Sequence, residues 1–354
     1  MLKRAAPAIG LFFLSPLTGE FLLGNLPITM LPALITLAPL YGGGALLVRE
    51  LARRRGAGWS GIVLLALAYA LVEEGLVTRS LFASAFAGMD LTAQAWLPGV
   101  GVSAWWASFV LGGVHVAGSI CAPIAVMEAL VPGRASEPWL RVPGLVVSGV
   151  LFVLGAVAAS VFAGEAAMPA PVRLAGLVAV VVVPAVVALR RRTTASDTTA
   201  SDTTASDTTG PGTTGPGTTG PDTTGSGTAA PGPWAVLGFS LVAGAVFWLA
   251  NPASGTLGAW PVTAVNLAVY AAVCVLAARW SRRPGWGVRQ VFALGAGYVL
   301  TYAWHGFLQP PAMPVPAATD LVGNAVFALA AVALLVFAAV RLPGPSHAAA
   351  PRPR

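Results

Sequence analysis

The sequence predicts an all-α fold, a polytopic bundle of about ten transmembrane helices. Three observations lead to this prediction: an apolar composition, apolar runs long enough to cross a bilayer, and basic residues concentrated in alternate loops. Of the 354 residues, 56% are hydrophobic and 9% are charged, whereas a soluble domain carries about 25% charged residues. A surface with this composition must face lipid, where a helix satisfies its own backbone hydrogen bonds.

The apolar runs define ten predicted spans of roughly 20 residues, the length at which a helix crosses the hydrocarbon core. The first follows a short basic segment without a convincing small-residue cleavage site, so we interpret it as a retained helix rather than a signal peptide. The predicted spans 1–10 are residues 6–23, 27–48, 59–81, 103–130, 142–163, 170–189, 234–250, 259–278, 287–308 and 320–340.

Basic residues predict the orientation, because lysine and arginine accumulate in cytoplasmic loops. With the N-terminus inside, 18 of the 20 basic residues fall in cytoplasmic segments, and only Arg79 and Arg173 fall outside. The usage of Ala, Val, Gly and Arg suits a GC-rich bacterial source. We therefore predict a multi-pass protein of the bacterial cytoplasmic membrane with both termini in the cytoplasm. The net charge of +7 arises from arginines that are clustered in the loops between spans, where they set the orientation in the membrane. The predicted partner is therefore the lipid bilayer and not nucleic acid.

A polar repeat divides the chain into two membrane parts. Residues 193–227 are seven pentads such as TTASD and TTGPG, which contain no side chain that could form a core. We predict an N-terminal six-helix bundle at 1–192, a disordered cytoplasmic linker at 193–232, a C-terminal four-helix bundle at 233–343 and a disordered cytoplasmic tail at 344–354.

The two membrane parts also resemble each other in sequence. FLLGNLP at 21–27 is similar to FWLANPA at 247–253, and each is followed by a span, a basic turn and a Gly-Trp pair. This pattern favours a parallel internal repeat that relates spans 1–3 to spans 7–9, the alternative being a chance similarity between helices rich in Gly, Ala and Leu. Cys121 and Cys274 both fall inside apolar runs, so we interpret them as small core residues.

Ionisable side chains at membrane depth cost at least ~2.5 kcal/mol each on insertion scales, so each of them indicates a binding site or a specific contact. Glu73 and Glu74 lie about 21 Å beyond Trp59, in the outer third of span 3. Two adjacent carboxylates do not both ionise easily in a low dielectric. Tyr69 shares a helical face with Glu73. Arg79 near the outer end is a candidate ion-pair partner for either glutamate, the alternative being that its side chain extends outward to the membrane surface.

Other polar side chains are predicted in the same outer layer. His115 lies in span 4 on a stripe of small or polar residues, Glu20 lies near the outer end of span 1, and span 9 carries Tyr302, His305 and Gln309. These residues are predicted to bind a solute or ion together with the glutamate pair. The alternative for each of them is an interhelical hydrogen bond that only fixes packing.

The segment EEGLVTRSLF, which begins at Glu73, resembles the CPBP (CAAX-protease-like) group of intramembrane proteases, as do the intramembrane histidines. The resemblance implies Glu73 as catalytic base, Glu74 and His115 near a metal or water, and His305 as the last histidine. The spacing differs from that family, because Arg79 follows Glu74 by five residues rather than four and His305 lies 190 residues after His115.

A larger part of the chain is similar to uncharacterised polytopic membrane proteins of bacteria, for which the resemblance implies no activity. The segments that carry it are FFLSPLTGEFLLGNLPI, YGGGALLVREL and AYALVEEGLV.

Three functional hypotheses follow from these residues. The first is permease-like handling of a proton, an ion or a small polar solute by the Glu/His layer. The second is an intramembrane hydrolase with a protein substrate, which activates water with or without zinc. The third is a structural or assembly protein. The sequence contains no phosphate-binding loop and no close-spaced metal motif, so we expect no cofactor and no metal, zinc being implied only by the hydrolase hypothesis.

The orientation is testable with reporter fusions. A reporter that is active only in the cytoplasm should be active when fused at residue 210 and at the C-terminus, and inactive within residues 83–100, because basic loops stay inside. Fusion activity and protein amount would be measured together. Opposite signals at residue 210 and at the C-terminus would contradict the division into six and four spans.

Overall fold

The computed structural model describes residues 2–162, 168–190 and 228–344. Within these residues, nine helices have the length and hydropathy of membrane spans. A tenth helix, Val288–His305, has 18 residues and carries more polar side chains. The predicted fold class is therefore confirmed. Residues 191–227 and 345–354, which hold almost all of the predicted linker and tail, lie outside the described residues.

We keep the numbers of the predicted spans for the helices observed. Spans 1–10 are Ala5–Leu22, Ile28–Arg55, Gly58–Val77, Ala104–Leu130, Val142–Val161, Pro171–Arg190, Pro233–Leu257, Ala259–Trp280, Val288–His305 and Ala317–Arg341. Most of their length is regular α-helix, in the segments Leu2–Pro16, Leu34–Leu37, Gly43–Arg55, Gly58–Val72, Ala104–Ala107, Ala122–Leu130, Val142–Phe162, Pro171–Arg190, Pro233–Ala250, Ser254–Leu257, Ala259–Trp280, Val288–His305 and Ala317–Arg341.

The remaining short elements lie at the ends of spans and in one long connection. Single 3-10 turns occur at Ile28–Ala33, Ser80–Phe82, Pro132–Arg134 and Asn251–Ala253. The connection between spans 3 and 4 contains two small antiparallel hairpins. Strand β1 (Ala85–Phe86) pairs with β2 (Met89–Asp90), and β3 (Trp96–Leu97) pairs with β4 (Val102–Ser103).

Two predicted boundaries are wrong for identifiable reasons. Span 2 continues to Arg55 and ends at Gly56, whose φ of 63° is the left-handed conformation that closes many helices. Span 3 ends at Val77 instead of residue 81, because the backbone at Arg79 also turns left-handed, with φ 60°. This second turn redirects the chain after the glutamate pair.

Span 4 lies between the two largest hydrophobic core clusters of the described structure. Ile120 and Ile124 on one of its faces join a core built from spans 1, 2, 3 and 6. Ala122 and Val126 on another face join a second core, built from spans 1, 7, 9 and 10. The two membrane parts therefore pack directly against each other through span 4.

Spans 5 and 6 lie at the periphery, since only 11% of the most apolar 18-residue stretch of each span is buried. Span 8 is similar, with 17% of the corresponding stretch buried, and this leaves the Cys274 thiol exposed. The interpretation of Cys274 as a core residue is therefore wrong, whereas Cys121 is half-buried in span 4. Both thiols are free.

A buried ion network joins spans 2 and 4 at the predicted cytoplasmic end. Arg49 and Glu50 have no exposed surface, and Arg49 Nη1 lies 2.8 Å from Glu50 Oε1. Arg49 Nε lies 3.0 Å from Glu128 Oε1, and Arg53 Nη2 lies 2.6 Å from Glu128 Oε2. Among the most buried groups, two arginines thus balance two glutamates, and the more exposed Arg54 lies 3.8 Å from Glu50 Oε2 at the edge of the network. The sequence suggested that Arg49 was a cytoplasmic loop cation, but its position between two carboxylates allows it to be fully buried.

The same network fixes the connection between spans 4 and 5. Arg49 Nη2 donates to the backbone oxygens of Ala135 at 2.9 Å and Glu137 at 3.0 Å, and its guanidinium stacks 3.2 Å from the centre of the Trp139 ring. The Trp139 backbone N–H donates to Glu50 Oε1 at 2.8 Å. Every charge in the network is paired, so this end of the bundle is closed and rigid.

The network makes a stability prediction. Glu128→Gln should lower the free energy of unfolding by about 3–5 kcal/mol, because it leaves the buried Arg49 without one of its two carboxylates. Glu137→Gln is the matched control, since the side chain of Glu137 is exposed. Thermal unfolding in detergent would be measured for both. Equal melting temperatures for Glu128→Gln and the wild type would contradict a stabilising network.

Candidate functional site

The four spans that form the candidate site are all locally distorted. Each contains a π-helical segment, a rare wide turn that occurs frequently at functional sites. These π-helical segments are Leu17–Leu22 with Glu20, Ala38–Gly42 with Tyr41, Glu73–Val77 with Glu73 and Glu74, and Ser108–Cys121 with His115. They are the only π-helical segments among the described residues. The polar side chains that they carry meet in one place.

At the centre of the site, two carboxylates converge on one imidazole nitrogen. His115 Nε2 lies 2.7 Å from Glu74 Oε1 and 2.9 Å from Glu73 Oε2. The exposed fractions of Glu73, Glu74 and His115 are 3%, 5% and 2%. Side chains of adjacent residues do not face each other in an α-helix, and the π turn that begins at Glu73 brings them together. A single Nε2–H can be directed at only one of the two carboxylates, and the hydrogen bond formed is with Glu74.

Glu74 is fully hydrogen-bonded, whereas Glu73 is not. The second oxygen of Glu74 accepts from Thr78 Oγ1 at 3.0 Å and from the Ser80 hydroxyl, and Trp106 Nε1 donates to Ser80 Oγ at 2.8 Å. The left-handed turn at Arg79 places Ser80 back over the glutamate. In contrast, Glu73 Oε2 is buried and accepts no hydrogen bond within the described structure.

A third carboxylate lies beside this cluster. Glu20 Oε1 accepts from the Tyr41 hydroxyl at 2.5 Å, and Glu20 Oε2 accepts from Asn25 Nδ2 at 2.6 Å. The Tyr41 ring stacks on the His115 ring, with centres 5.9 Å apart and planes inclined by 29°. Spans 1 and 4 approach closely here, since Ser15 Oγ donates to the Ser119 carbonyl at 2.6 Å.

Tyr69 completes the aromatic surroundings of His115. Its ring centre lies 6.2 Å from that of His115 and 6.4 Å from that of Tyr41. A side chain at Gly44 would collide with this ring, so the glycine permits spans 2 and 3 to approach. The buried Tyr69 hydroxyl has no hydrogen-bond partner among the described residues.

Arg79 forms no ion pair with either glutamate, so the first of its two predicted alternatives is wrong. Its Nη2 donates to the Ser160 carbonyl at 3.1 Å and its Nη1 contacts Met168 Sδ at 3.8 Å, because the left-handed turn directs the side chain toward span 5. Within the described structure, the ion pairs formed by arginines lie in the network around Glu50 and Glu128. The three carboxylates of the candidate site have no arginine or lysine partner there.

The three predicted residues of span 9 lie apart from the cluster. The His305 ring stacks on Trp248, with centres 4.1 Å apart, and the Tyr302 hydroxyl donates to the Val114 carbonyl at 3.4 Å. Gln309 Nε2 donates to its neighbour, the Pro310 carbonyl, at 3.3 Å. No hydrogen bond, ion pair or ring contact in the described part of the chain joins Tyr302, His305 or Gln309 to Glu73, Glu74 or His115.

The predicted stripe along span 4 is also wrong. With α-helical spacing, Ser108, Gly112, His115 and Ser119 would share one face. Because residues 108–121 form a π-helix, these positions point in different directions. Ser108 Oγ accepts from Asn266 of span 8 at 3.0 Å, whereas His115 faces span 3 and Ser119 faces span 1.

Sequence reasoning missed Tyr41, Asn25 and Ser80 as members of the site. A signal for Tyr41 was present, since it is a polar aromatic residue that precedes three glycines inside an apolar span. Asn25 drew notice only through the internal repeat. Ser80 had no signal, because its position depends on the backbone conformation at Arg79.

Glu73, Glu74 and His115 also have the composition of a metal site. Each offers one ligand atom, and these atoms lie within 4.8 Å of one another. A metal-bound histidine almost always donates its other ring N–H to an acceptor, and His115 Nδ1 is buried without a partner in the described structure. The residues present therefore do not fit a histidine-coordinated zinc centre of the kind that the hydrolase hypothesis requires.

Comparison with known proteins identifies the family. Residues 11–350 match the model of a family described as an uncharacterized membrane protein family. The chain belongs to that family. It is accordingly a multi-pass integral membrane protein in contact with a lipid bilayer, as the similarity to polytopic bacterial proteins implied. No curated protein and no solved structure matches the chain. None of these comparisons, with family models, curated proteins or solved structures, supports the resemblance to CPBP proteases.

The absence of a metal is testable on purified protein. Metal analysis after dialysis without chelator should find well below one equivalent of zinc, because His115 lacks the acceptor that orients a metal-bound imidazole. His115→Ala provides the comparison. One equivalent of zinc in the wild type that is lost in His115→Ala would contradict the expectation and favour the hydrolase hypothesis.

Proposed function

We propose that this membrane protein is permease-like and binds an exchangeable proton or small cation at Glu73, Glu74 and His115 during the movement of an ion or small polar solute. The observation that carries the proposal is the convergence of two buried carboxylates on a single imidazole nitrogen. In a low dielectric, two carboxylates this close to each other cannot both stay ionised without added positive charge.

Charge counting supports an exchangeable ion. Glu20, Glu73 and Glu74 bring three acidic groups to the site, and His115 brings one basic group. An arginine or lysine partner is missing among the described residues. The excess negative charge must therefore be offset by bound protons or by a cation, and groups that bind such ions in a span are typical of proton and ion pathways.

The contrast with the network around Arg49 argues against a purely structural role. That network balances its charges within the protein and hydrogen-bonds its carboxylates on both oxygens. The site around His115 leaves His115 Nδ1 and the Tyr69 hydroxyl buried without hydrogen-bond partners in the described structure, and Glu73 Oε2 has only its 2.9 Å contact with His115 Nε2. Buried unpaired polar groups are costly and require an explanation, which a transiently bound ion or solute supplies.

The other two hypotheses make different demands on the same residues. A hydrolase of the kind implied by the CPBP resemblance would use His305 together with His115, and His305 lies against Trp248 instead. A structural protein would need only hydrogen bonds from the glutamates, which glutamine also provides.

The proposal predicts loss of ion movement without loss of folding. In proteoliposomes with an internal pH-sensitive dye and an imposed membrane potential, Glu73→Gln and Glu74→Gln should each reduce proton flux by about 100-fold, the size typical for removal of a proton-transfer group. Glu137→Gln, an exposed glutamate, should keep wild-type flux. Monodisperse elution in detergent would verify folding.

Wild-type flux in both folded glutamine variants would eliminate proton handling and favour the structural hypothesis. If the wild type moves no proton, replacing the proton gradient by sodium or potassium gradients tests the cation form of the proposal.

A further inference from the structure

We infer that Glu20, held by Tyr41 and Asn25, is a second proton-binding site, and that Tyr41 is the group through which a proton passes between Glu20 and the Glu73–Glu74–His115 cluster. This inference rests on the proposed function and adds a route to it. Of the residues in this route, sequence reasoning had singled out only the carboxylates and the histidine.

Exposure separates the two sites. Glu20 and Asn25 are partly exposed, whereas Glu73, Glu74 and His115 are buried. Asn25 lies in the turn that follows span 1, at the predicted outer end of the bundle. Glu20 is therefore the carboxylate of the site that a proton from outside can reach first.

Tyr41 makes direct contacts with both sites. Its hydroxyl donates to Glu20 Oε1 at 2.5 Å, and its ring stacks on His115. Tyr41 also interacts electrostatically with Glu73, whose Oε2 accepts no hydrogen bond in the described structure. Tyr41 therefore interacts with a carboxylate of each site, with Glu20 by a hydrogen bond and with Glu73 electrostatically.

The proposed step conserves protons and leaves no charge on Tyr41. A proton first binds the Glu20 carboxylate from outside. The Glu20 O–H bond then breaks as its proton passes to the Tyr41 oxygen, and the Tyr41 O–H bond breaks as its own proton passes to Glu73 Oε2. Tyr41 is neutral before and after, Glu20 is again a carboxylate, and Glu73 is protonated.

The groups around Glu20 are compatible with such a step. The side chains that bond to it or interact with it electrostatically, taken from each neighbouring span, are Asn25, Tyr41, Tyr69, Glu74, His115 and Tyr302. None of these is an arginine or lysine. Glu20 therefore has no permanent cation that would hold it ionised, and its proton can be exchanged.

The test compares two tyrosines that donate to different acceptors. Tyr41→Phe keeps the ring on His115 and removes only the hydroxyl, so proton flux in proteoliposomes should fall by at least about tenfold. Tyr270→Phe is the matched control, because its hydroxyl donates to the Ser108 carbonyl of span 4 at 2.8 Å, away from the site. That variant should keep wild-type flux. Glu20→Gln should behave as Tyr41→Phe does.

A second measurement keeps the inference separate from the proposed function. Infrared difference spectra between acid and alkaline protein would record the carboxyl bands, assigned with Glu20→Gln and Glu73→Gln. If Tyr41 joins the two sites, Tyr41→Phe should shift the bands of both Glu20 and Glu73. A shift confined to the Glu20 band would overturn the inference, whether or not the protein moves protons. Loss of flux in Glu73→Gln with wild-type flux in Tyr41→Phe would overturn the route and leave the proposed function standing.

Discussion

Inside a bilayer no water is present to pair with a buried polar group, and this constraint organises the whole bundle. Each backbone group finds its partner within a helix, so the ten helices follow directly. Each polar side chain at membrane depth must find its partner on another helix, and these contacts select which spans pack together. Spans 2, 3 and 4 carry the buried arginine and the buried glutamates of the described structure and lie at its centre, whereas spans 5, 6 and 8 contribute no buried charged residue and lie at the edge.

The constraint is met in two different ways along span 2. Arg49 and Glu50 belong to a network in which both charge signs and all hydrogen bonds are balanced. Tyr41, about 12 Å away along the same helix, belongs to a site where acids outnumber bases and three buried polar atoms form no hydrogen bond within the described structure. The complete network holds the helices rigidly at one end. Burying polar groups without hydrogen bonds is energetically costly. Without the network, the helices could rearrange to pair the polar groups near His115. With the helices held at one end, these groups stay unpaired.

The π turns link backbone geometry to the chemistry of the site. A π-helical turn is wider than an α-helical turn and therefore changes the directions of its side chains. In this way Glu73 and Glu74 can both point to the same nitrogen, and His115 can point toward them. Such turns weaken the regular hydrogen-bond ladder and are kept where the gain outweighs that cost. Their coincidence at all four contributing segments is independent support for a functional site, because packing alone would favour regular helices.

The sequence by itself determined the fold class and the approximate positions of ten spans, and it singled out the Glu73–Glu74 pair and His115, which the structure brings together. These follow from local properties: apolar runs of fixed length, and ionisable residues whose burial in lipid is costly. Only the tertiary structure decided that Arg79 points away from the glutamates, that His305 packs on Trp248 and that Tyr41 joins Glu20 to His115. The physical reason is that these contacts depend on π turns, on the left-handed turn at Arg79 and on helix neighbours, none of which leaves a periodic signal in the sequence.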